Sequence, residues 1–146
     1  MSTRRLSGSV ALLRSGRLKR NLQHGATAIL RESALNISQW IILCHLRERE
    51  TSTLTEMAQA TDHDAGSLSR AIFALRQRGL VTAMPARDDR RSMVLAASHA
   101  GRVLCDGIEA QLTARLDGQL HAALGQEGLQ QLLTLMDKAA TALDAN

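Results

Sequence analysis

The side chains best suited to bind another molecule lie in one stretch of the chain, residues 63–101. Arginine and glutamine can form paired hydrogen bonds with the edges of guanine and adenine, and serine can bind phosphate. Four such residues fall within a predicted helix and are the expected DNA contacts: Ser67, Ser69, Arg70 and Gln77. The alternative is a helix face that contacts only water. The elements that follow the helix favour contact with DNA.

A second basic group lies in a charged turn, where Arg87, Arg90 and Arg91 accompany Asp88 and Asp89. Arginine side chains insert into narrow minor grooves, where the potential is strongly negative. We therefore expect one arginine to enter a minor groove while an aspartate holds another. The spacing does not distinguish which arginine enters. A charge run on a turn is otherwise only solvated, but its position directly after the helix favours a functional role.

Two helices joined by a short polar turn must position the first group. Thr53 and Glu56 predict a capping box at the start of the first of these helices. Asp64 is typical of the N-cap of the second helix, which Gly79 is expected to end. The second helix has an apolar side and an opposite side that carries Phe73 among the polar candidates. These features predict a helix-turn-helix.

A wing and further helices are predicted around this motif. Short runs at residues 80–84 and 92–96 predict two strands joined by the charged turn. Upstream, Asn36 precedes an almost wholly apolar run, residues 39–46, which predicts a central, buried helix. Downstream, Ser98 is a good N-cap for a long helix with a leucine-rich stripe.

The predicted fold class is mainly α with a small β-hairpin wing. We expect one domain over residues 1–146, because no Pro, Gly or Ser linker interrupts it. The winged helix-turn-helix occupies about residues 35–98, and long terminal dimerisation helices occupy about residues 9–32 and 99–144, the latter divided at Gly125. The apolar stripes of these terminal helices must be covered by each other or by a second copy, and a two-fold homodimer is the common solution.

The overall composition is that of an ordinary globular protein, with 45% hydrophobic and 22% charged residues and a net charge of +4. Residues 1–31 hold seven Arg or Lys and no acidic residue, so they could meet a polyanion or form an organellar transit peptide. No apolar run approaches the ~20 residues of a membrane span. Cys44 and Cys105, far apart in sequence, predict reduced, buried thiols. The default expectation is a cytoplasmic protein without membrane contact.

In order and spacing, residues 35–101 resemble the MarR family of winged helix-turn-helix transcriptional regulators. Asp89, Arg91 and Gly101 match the wing signature of that family, although Ala97 and Ser98 stand where a Leu-Thr pair is usual. The other matching positions are residues 54–58, residues 67–70, Leu75 and residues 79–81. The departures, which affect base preference rather than fold, are His63, Phe73 and Ala74.

The resemblance implies a two-fold dimer built from the terminal helices, with the recognition helices in major grooves and the wings in flanking minor grooves. It points to Asp89 as the residue that organises the wing. It also implies repression, or less often activation, that responds to a small molecule or an oxidant. Two symmetric heads require a palindromic site with half-sites about one helical turn apart.

A small-molecule pocket is a further expectation, between the first, second and fifth helices. Trp40 could form its wall, and Arg17, His24 and His45 could supply polar contacts. Each of these residues is otherwise a core, surface or capping residue. Cys44 or Cys105 could sense an oxidant if a cation or a helix N-terminus lowered its pKa, but positions inside apolar helices disfavour this role.

No catalytic residue, cofactor or metal site is expected. Residues 62–64, Asp-His-Asp, contain metal-ligand types but cannot easily converge on one ion from adjacent positions. The sequence has no nucleophile elbow, phosphate-binding glycine loop or HExxH pair, so an enzyme is disfavoured. The hypothesis is a sequence-specific, double-stranded DNA-binding regulator, a ligand-responsive homodimeric repressor on a palindromic operator. The alternatives are a helical protein-interaction adaptor and a nonspecific nucleoid-type DNA binder.

Overall fold

The computed structural model describes residues 7–144. The first part of the basic N-terminal segment, residues 1–6, and residues 145–146 lie outside the described residues. In chain order the elements are α1 (Gly8–Glu32), α2 (Ile37–Arg49), β1 (Ser52–Thr53), α3 (Leu54–Ala60), α4 (Ala65–Gln77), β2 (Val81–Pro85), β3 (Met93–Ala97), α5 (His99–Leu112), a π-helical turn (Thr113–Asp117) and α6 (Gly118–Asp144). This mainly helical chain with a small antiparallel sheet confirms the predicted fold class.

The helix starts follow the capping residues read from the sequence. The Asn36 side chain accepts a hydrogen bond from the Gln39 backbone N–H at 2.9 Å, and the Gln39 side chain accepts one from the Asn36 N–H. Thr53 and Glu56 form the predicted capping box at α3, with distances of 2.8 and 3.2 Å. Such caps satisfy backbone donors that the first helical turn leaves free.

The wing belongs to a three-stranded antiparallel sheet with strand order β1-β3-β2. Strands β2 and β3 pair from Val81 opposite Ala97 to Pro85 opposite Met93, so each begins one residue later than predicted. Strand β1 pairs Ser52 with Leu95 and was not predicted. A two-residue strand shows no alternation of apolar and polar residues, so its sequence carries no β signal.

The chain divides into two compact units, residues 1–109 and 110–146. The first unit contains the hydrophobic core, to which the helices and the sheet all contribute. Its ten largest fully buried side chains are Leu30, Ile42, Leu43, Leu46, Met57, Leu68, Leu75, Leu95, Cys105 and Ile108. Helix α2 supplies three of these, which agrees with the central position predicted for it. Trp40 is only half-buried, so the core is aliphatic.

The start of α5 is held against the base of the wing. Ser98 caps α5 by accepting a hydrogen bond from the Gly101 N–H at 3.1 Å, and its own N–H donates to the Leu80 carbonyl at 3.0 Å. A Cβ atom at Gly101 would lie well inside contact distance of that carbonyl oxygen. Only glycine fits this approach, which gives a physical reason for the glycine of the wing signature.

In the second unit, none of the described residues 110–144 is buried. The long helix predicted after Ser98 contains the π-helical turn Thr113–Asp117. The leucines around this turn keep their four-residue spacing, so the sequence pattern does not reveal it. Gly125 has φ +69° and ψ 171°, which divides α6 at the predicted position. Over residues 7–144, no helix is long and apolar enough to cross a membrane.

Candidate nucleic-acid interface

Helix α4 has one buried face and one exposed face, as the sequence predicted. Leu68 is 1% exposed and Leu75 is fully buried, with Ala71 and Ile72 also in the core. The opposite face consists of Ser69, Arg70, Phe73, Arg76 and Gln77, which are all exposed. Because buried side chains fix the rotation of the helix about its axis, the exposed side chains are presented in one direction.

The N-terminus of α4 is tied to one carboxylate. Asp64 accepts hydrogen bonds from the Ser67 backbone N–H and from the Ser67 hydroxyl, both at 2.9 Å. These hydrogen bonds hold the pKa of the exposed Asp64 carboxyl below its ordinary value. Ser67 also accepts a hydrogen bond from Arg70 Nη2 at 3.4 Å. The Ser67 hydroxyl thus donates to the Asp64 cap in this structure, and Ser67 and Arg70 lie side by side.

The turn before α4 has no arrangement suited to a metal. Asp64 serves as the helix cap, and the buried Nδ1 atom of His63 has no hydrogen-bond partner. Throughout the part of the chain that the structure describes, no group of three His, Cys, Asp or Glu side chains is placed to hold a metal ion.

Arg78, at the C-terminal end of α4, contacts the protein itself. Its guanidinium donates to the carbonyls of Ser33 and Ala34, at 2.8 and 3.0 Å, where α1 turns into α2. The sequence gives no signal for these partners, which lie 44 and 45 positions away. Arg78 links the end of α4 to the end of α1.

The wing turn is organised by Asp89 through the backbone. Its carboxylate accepts a hydrogen bond from the Arg91 N–H at 2.9 Å, and its carbonyl accepts one from the Ser92 N–H at 3.0 Å. The expected aspartate–arginine ion pair is absent, since the ion pairs found within residues 7–144 involve only Arg47. The guanidinium groups of Arg87, Arg90 and Arg91 are on exposed side chains.

The four residues predicted to form a ligand pocket have different environments. Arg17 and His24 are exposed on α1, and Trp40 is half-buried on α2. His45 also belongs to α2, and its Nε2 atom lies 3.2 Å from the Oγ atom of buried Ser52. It lines a cavity of about 500 Å³ whose other walls are Arg49, Thr51, Ser52, Glu56, Gln59 and Ala60. This cavity lies beside β1 and α3, and the other three predicted residues do not line it.

The two cysteines meet across α2 and α5. Cys44 is half-buried and Cys105 is buried. Interaction with the Cys105 thiol, together with burial, raises the pKa of Cys44, while interaction with the Cys44 thiol lowers the pKa of Cys105. One helical turn further along α2, Arg47 forms ion pairs with Asp106 and Glu109 of α5. Because Cys44 and Cys105 are far apart in the chain, nothing in the sequence indicates that they meet.

The sequence of the winged segment matches a known family. A model described as MarR family matches residues 35–92, from just before α2 to the end of the wing turn. Residues 35–92 are thus similar to the MarR family. The resemblance inferred from the wing signature is thereby confirmed. The matched part of the chain contains α3, α4 and the Asp89 turn, and stops before β3.

The chain is 30% identical over 97 residues to the HTH-type transcriptional repressor NicR of Pseudomonas putida. That alignment covers 64% of this chain, and the chain spans 61% of the length of this curated relative. The fold of the present chain is similar to that in the crystal structure of NadR in complex with 4-hydroxyphenylacetate. The TM-score is 0.78, the identity is 23%, and 96% of each chain is covered. A mutant MarR from E. coli complexed with operator DNA has a TM-score of 0.69 and 22% identity, covering 92% of this chain and 99% of that one.

Proposed function

We propose that this protein is a sequence-specific, double-stranded DNA-binding transcriptional regulator. The observation that carries the proposal is the exposed polar face of α4, whose opposite face is anchored in the core. Helix α4 has 13 residues, and a helix about 10–12 Å in diameter fits the ~12 Å wide major groove. Its proposed DNA contacts are Ser67, Ser69, Arg70 and Gln77.

The wing supplies a second, less specific set of contacts. Exposed Arg87, Arg90 and Arg91 follow α4 in sequence, on a turn whose shape Asp89 holds. Arginines presented this way suit the negative potential of a narrow minor groove and its phosphates. In this proposal α4 reads base edges, while the wing adds affinity and fixes the position of the protein on the duplex.

The proposed active form is a homodimer on a palindromic operator. Residues 110–144 bury no side chain within the chain, and α6 exposes Leu133, Leu135, Met136 and Leu143. On α1, Leu12 and Leu13 are 74% and 75% exposed. Apolar surface of this extent is normally covered in solution, and a second copy is the commonest partner. Two symmetric heads would then bind half-sites about one helical turn apart.

The proposed regulation is repression that a small molecule relieves. The curated relative is named a repressor, and NadR was crystallised with a small aromatic acid. The proposed effector contacts are Arg17, His24, Trp40 and His45. Of these, His45 already lines a cavity of suitable size. The proposed location is the cytoplasm.

Selection of bound duplexes from a random library tests the proposal. Anisotropy is then measured on the enriched duplex and on a scrambled duplex across a range of salt concentrations. We expect an inverted repeat, a large affinity ratio and a negative slope of log affinity against log salt. Arg70→Ala should relax sequence preference, and Arg102→Ala, an exposed arginine on α5, is the matched control.

The other outcomes assign the protein to a different class. Salt-dependent binding without an enriched sequence would indicate a nonspecific nucleoid-type binder. No duplex binding at low salt would indicate a protein-interaction adaptor. Sedimentation at micromolar concentration tests the dimer separately, because a stable monomer would contradict it whatever the DNA result.

A further inference from the structure

Phe73 occupies an unusual environment for an aromatic side chain. It is the only phenylalanine of a chain that has one tryptophan and no tyrosine. Burial of such a ring stabilises a core strongly, yet Phe73 is 64% exposed. The core is aliphatic instead, so this ring is available to contact another molecule.

Phe73 also lies at the middle of the exposed face of α4. With about 100° of rotation per residue, Ser69 and Gln77 lie roughly 40° to either side of it, one turn before and one turn after. The buried side chains Leu68, Ala71 and Leu75 lie about 140° to 160° away, and buried Ile72 lies about 100° away. The ring therefore cannot turn into the core without exposing residues that the helix now buries. If α4 enters a major groove through this face, Phe73 is the residue most directly opposed to the bases.

The chemistry of the ring limits what it can recognise there. Phenylalanine has no donor or acceptor, so it cannot read the hydrogen-bonding pattern of a base edge. The one apolar group that the major groove presents is the C5-methyl of thymine. Contact between ring and methyl removes apolar surface of both from water, whereas a polar base edge opposite the ring would lose its hydration without compensation.

We propose that Phe73 is a specificity-determining residue that selects a thymine in each half-site by packing against its 5-methyl group. This inference rests on the proposed DNA-binding function. Gln77, beside it on the same face, can form paired hydrogen bonds with adenine. Phe73 and Gln77 together favour an A·T-containing segment at the centre of each half-site, while Arg70 is suited to a flanking guanine.

The test removes the methyl group and leaves base pairing intact. Each thymine of the enriched operator is replaced by uracil, in symmetry-related pairs, and affinity is measured for the wild type and for Phe73→Ala. Loss of one methyl contact should weaken wild-type binding about fourfold, and loss of both should weaken it about 15-fold. Phe73→Ala should bind the thymine and uracil duplexes equally. Because the ring is exposed, Phe73→Ala should unfold at the same temperature as the wild type.

Val103→Ala is the matched control, because Val103 is 57% exposed on α5, outside the proposed interface. It should retain the full uracil effect. If the wild type binds its operator specifically but no thymine is sensitive to uracil, the inference is wrong and the proposed function stands. It is also wrong if Phe73→Ala keeps the wild-type sensitivity. If the wild type enriches no sequence, the proposed function itself fails, and the inference fails with it.

Discussion

Helix α4 and the wing carry the two groups of candidate DNA contacts, and the protein holds them in different ways. The side chains of α4 project from a helix whose inner face is buried, with Leu68 at 1% exposure. Within the wing turn, by contrast, Arg87 and residues 88–91 are all exposed, and hydrogen bonds to Asp89 replace packing.

The difference follows from what each region is proposed to recognise. Paired hydrogen bonds to a base edge require a side chain fixed in position and angle, which a packed helix provides. A phosphate or a minor groove accepts an arginine over a wider range of positions, so a turn held by a few hydrogen bonds is sufficient. Four predictions, in order of decreasing effect, test this contrast.

Leu68→Ala removes packing on the buried face of α4, opposite its candidate DNA contacts. It should lower the free energy of unfolding by about 2–5 kcal/mol, because it leaves a cavity in the core. Urea denaturation measures this change. Val103→Ala, at an exposed position on α5, should change the stability by less than about 0.5 kcal/mol. Equal effects of the two substitutions would mean that core packing does not anchor α4.

Arg70→Ala and Arg91→Ala should separate base reading from positioning. Arg70→Ala should cost about 1–3 kcal/mol of binding free energy on the best operator and relax the preference at one base pair. Arg91→Ala should weaken binding to all duplexes alike and reduce the magnitude of the salt slope by about one. Anisotropy titrations on matched and mismatched duplexes measure both. The contrast between α4 and the wing would collapse if Arg91→Ala changed the sequence preference and Arg70→Ala did not.

Asp89→Ala should loosen the wing without affecting α4. The Arg91 N–H would lose its acceptor, and a hydrogen bond of this kind is worth about 1 kcal/mol. Binding should weaken severalfold on every duplex with unchanged sequence preference. Asp88→Ala is the matched control, because it removes the same charge from an exposed neighbour. If the two variants bind DNA equally, charge and not the shape of the turn explains the effect.

The smallest effect concerns the helix caps in acid. Hydrogen bonds from Ser67 to Asp64 and from Thr53 to Glu56 hold the pKa of each carboxyl below its ordinary value of 3.8 or 4.5 in the folded protein. Their contribution to stability is therefore complete above those ordinary values. It is lost as the pH falls through the lower folded values.

Urea denaturation between about pH 6 and about pH 3 should show this loss. Asp64→Asn retains an acceptor at the cap but cannot be protonated, so its stability should fall less steeply in acid than that of the wild type. An identical acid dependence in the variant would show that the Asp64 cap contributes no pH-linked stability.

The parts of the fold that the sequence predicted are those decided by near neighbours. A cap needs only a side chain and a backbone N–H three residues apart, as at Asp64 and Ser67, so the start of α4 could be read directly. The two faces of α4 follow from helical periodicity in the same way. The wing strands were predicted to within one residue, because a charged turn separates two short apolar runs.

The features that the sequence did not reveal depend on contacts between distant segments. Cys44 and Cys105 interact, and Arg47 pairs with Asp106 and Glu109, only because α2 packs beside α5. Strand β1 forms because Leu95 of β3 offers Ser52 a pairing partner, although the sequence around Ser52 has no β signal of its own. Of the candidate site, the sequence could place side chains on the exposed face of α4 and on the wing. It could not predict that the Asp89 carboxylate would accept a hydrogen bond from the Arg91 backbone N–H and form no ion pair with an arginine guanidinium.

The contact of Arg78 with Ser33 and Ala34 has a consequence for engineering. The exposed positions of α4 could be exchanged to retarget the protein, since no core side chain depends on them. Arg78 looks like one more basic position in the same series, but it fastens the helix to the scaffold. A library that randomises it together with its neighbours would mix changes in recognition with losses of folding. Variants with new specificity should therefore keep Arg78 constant and vary the face that contains Ser69, Arg70, Phe73 and Gln77.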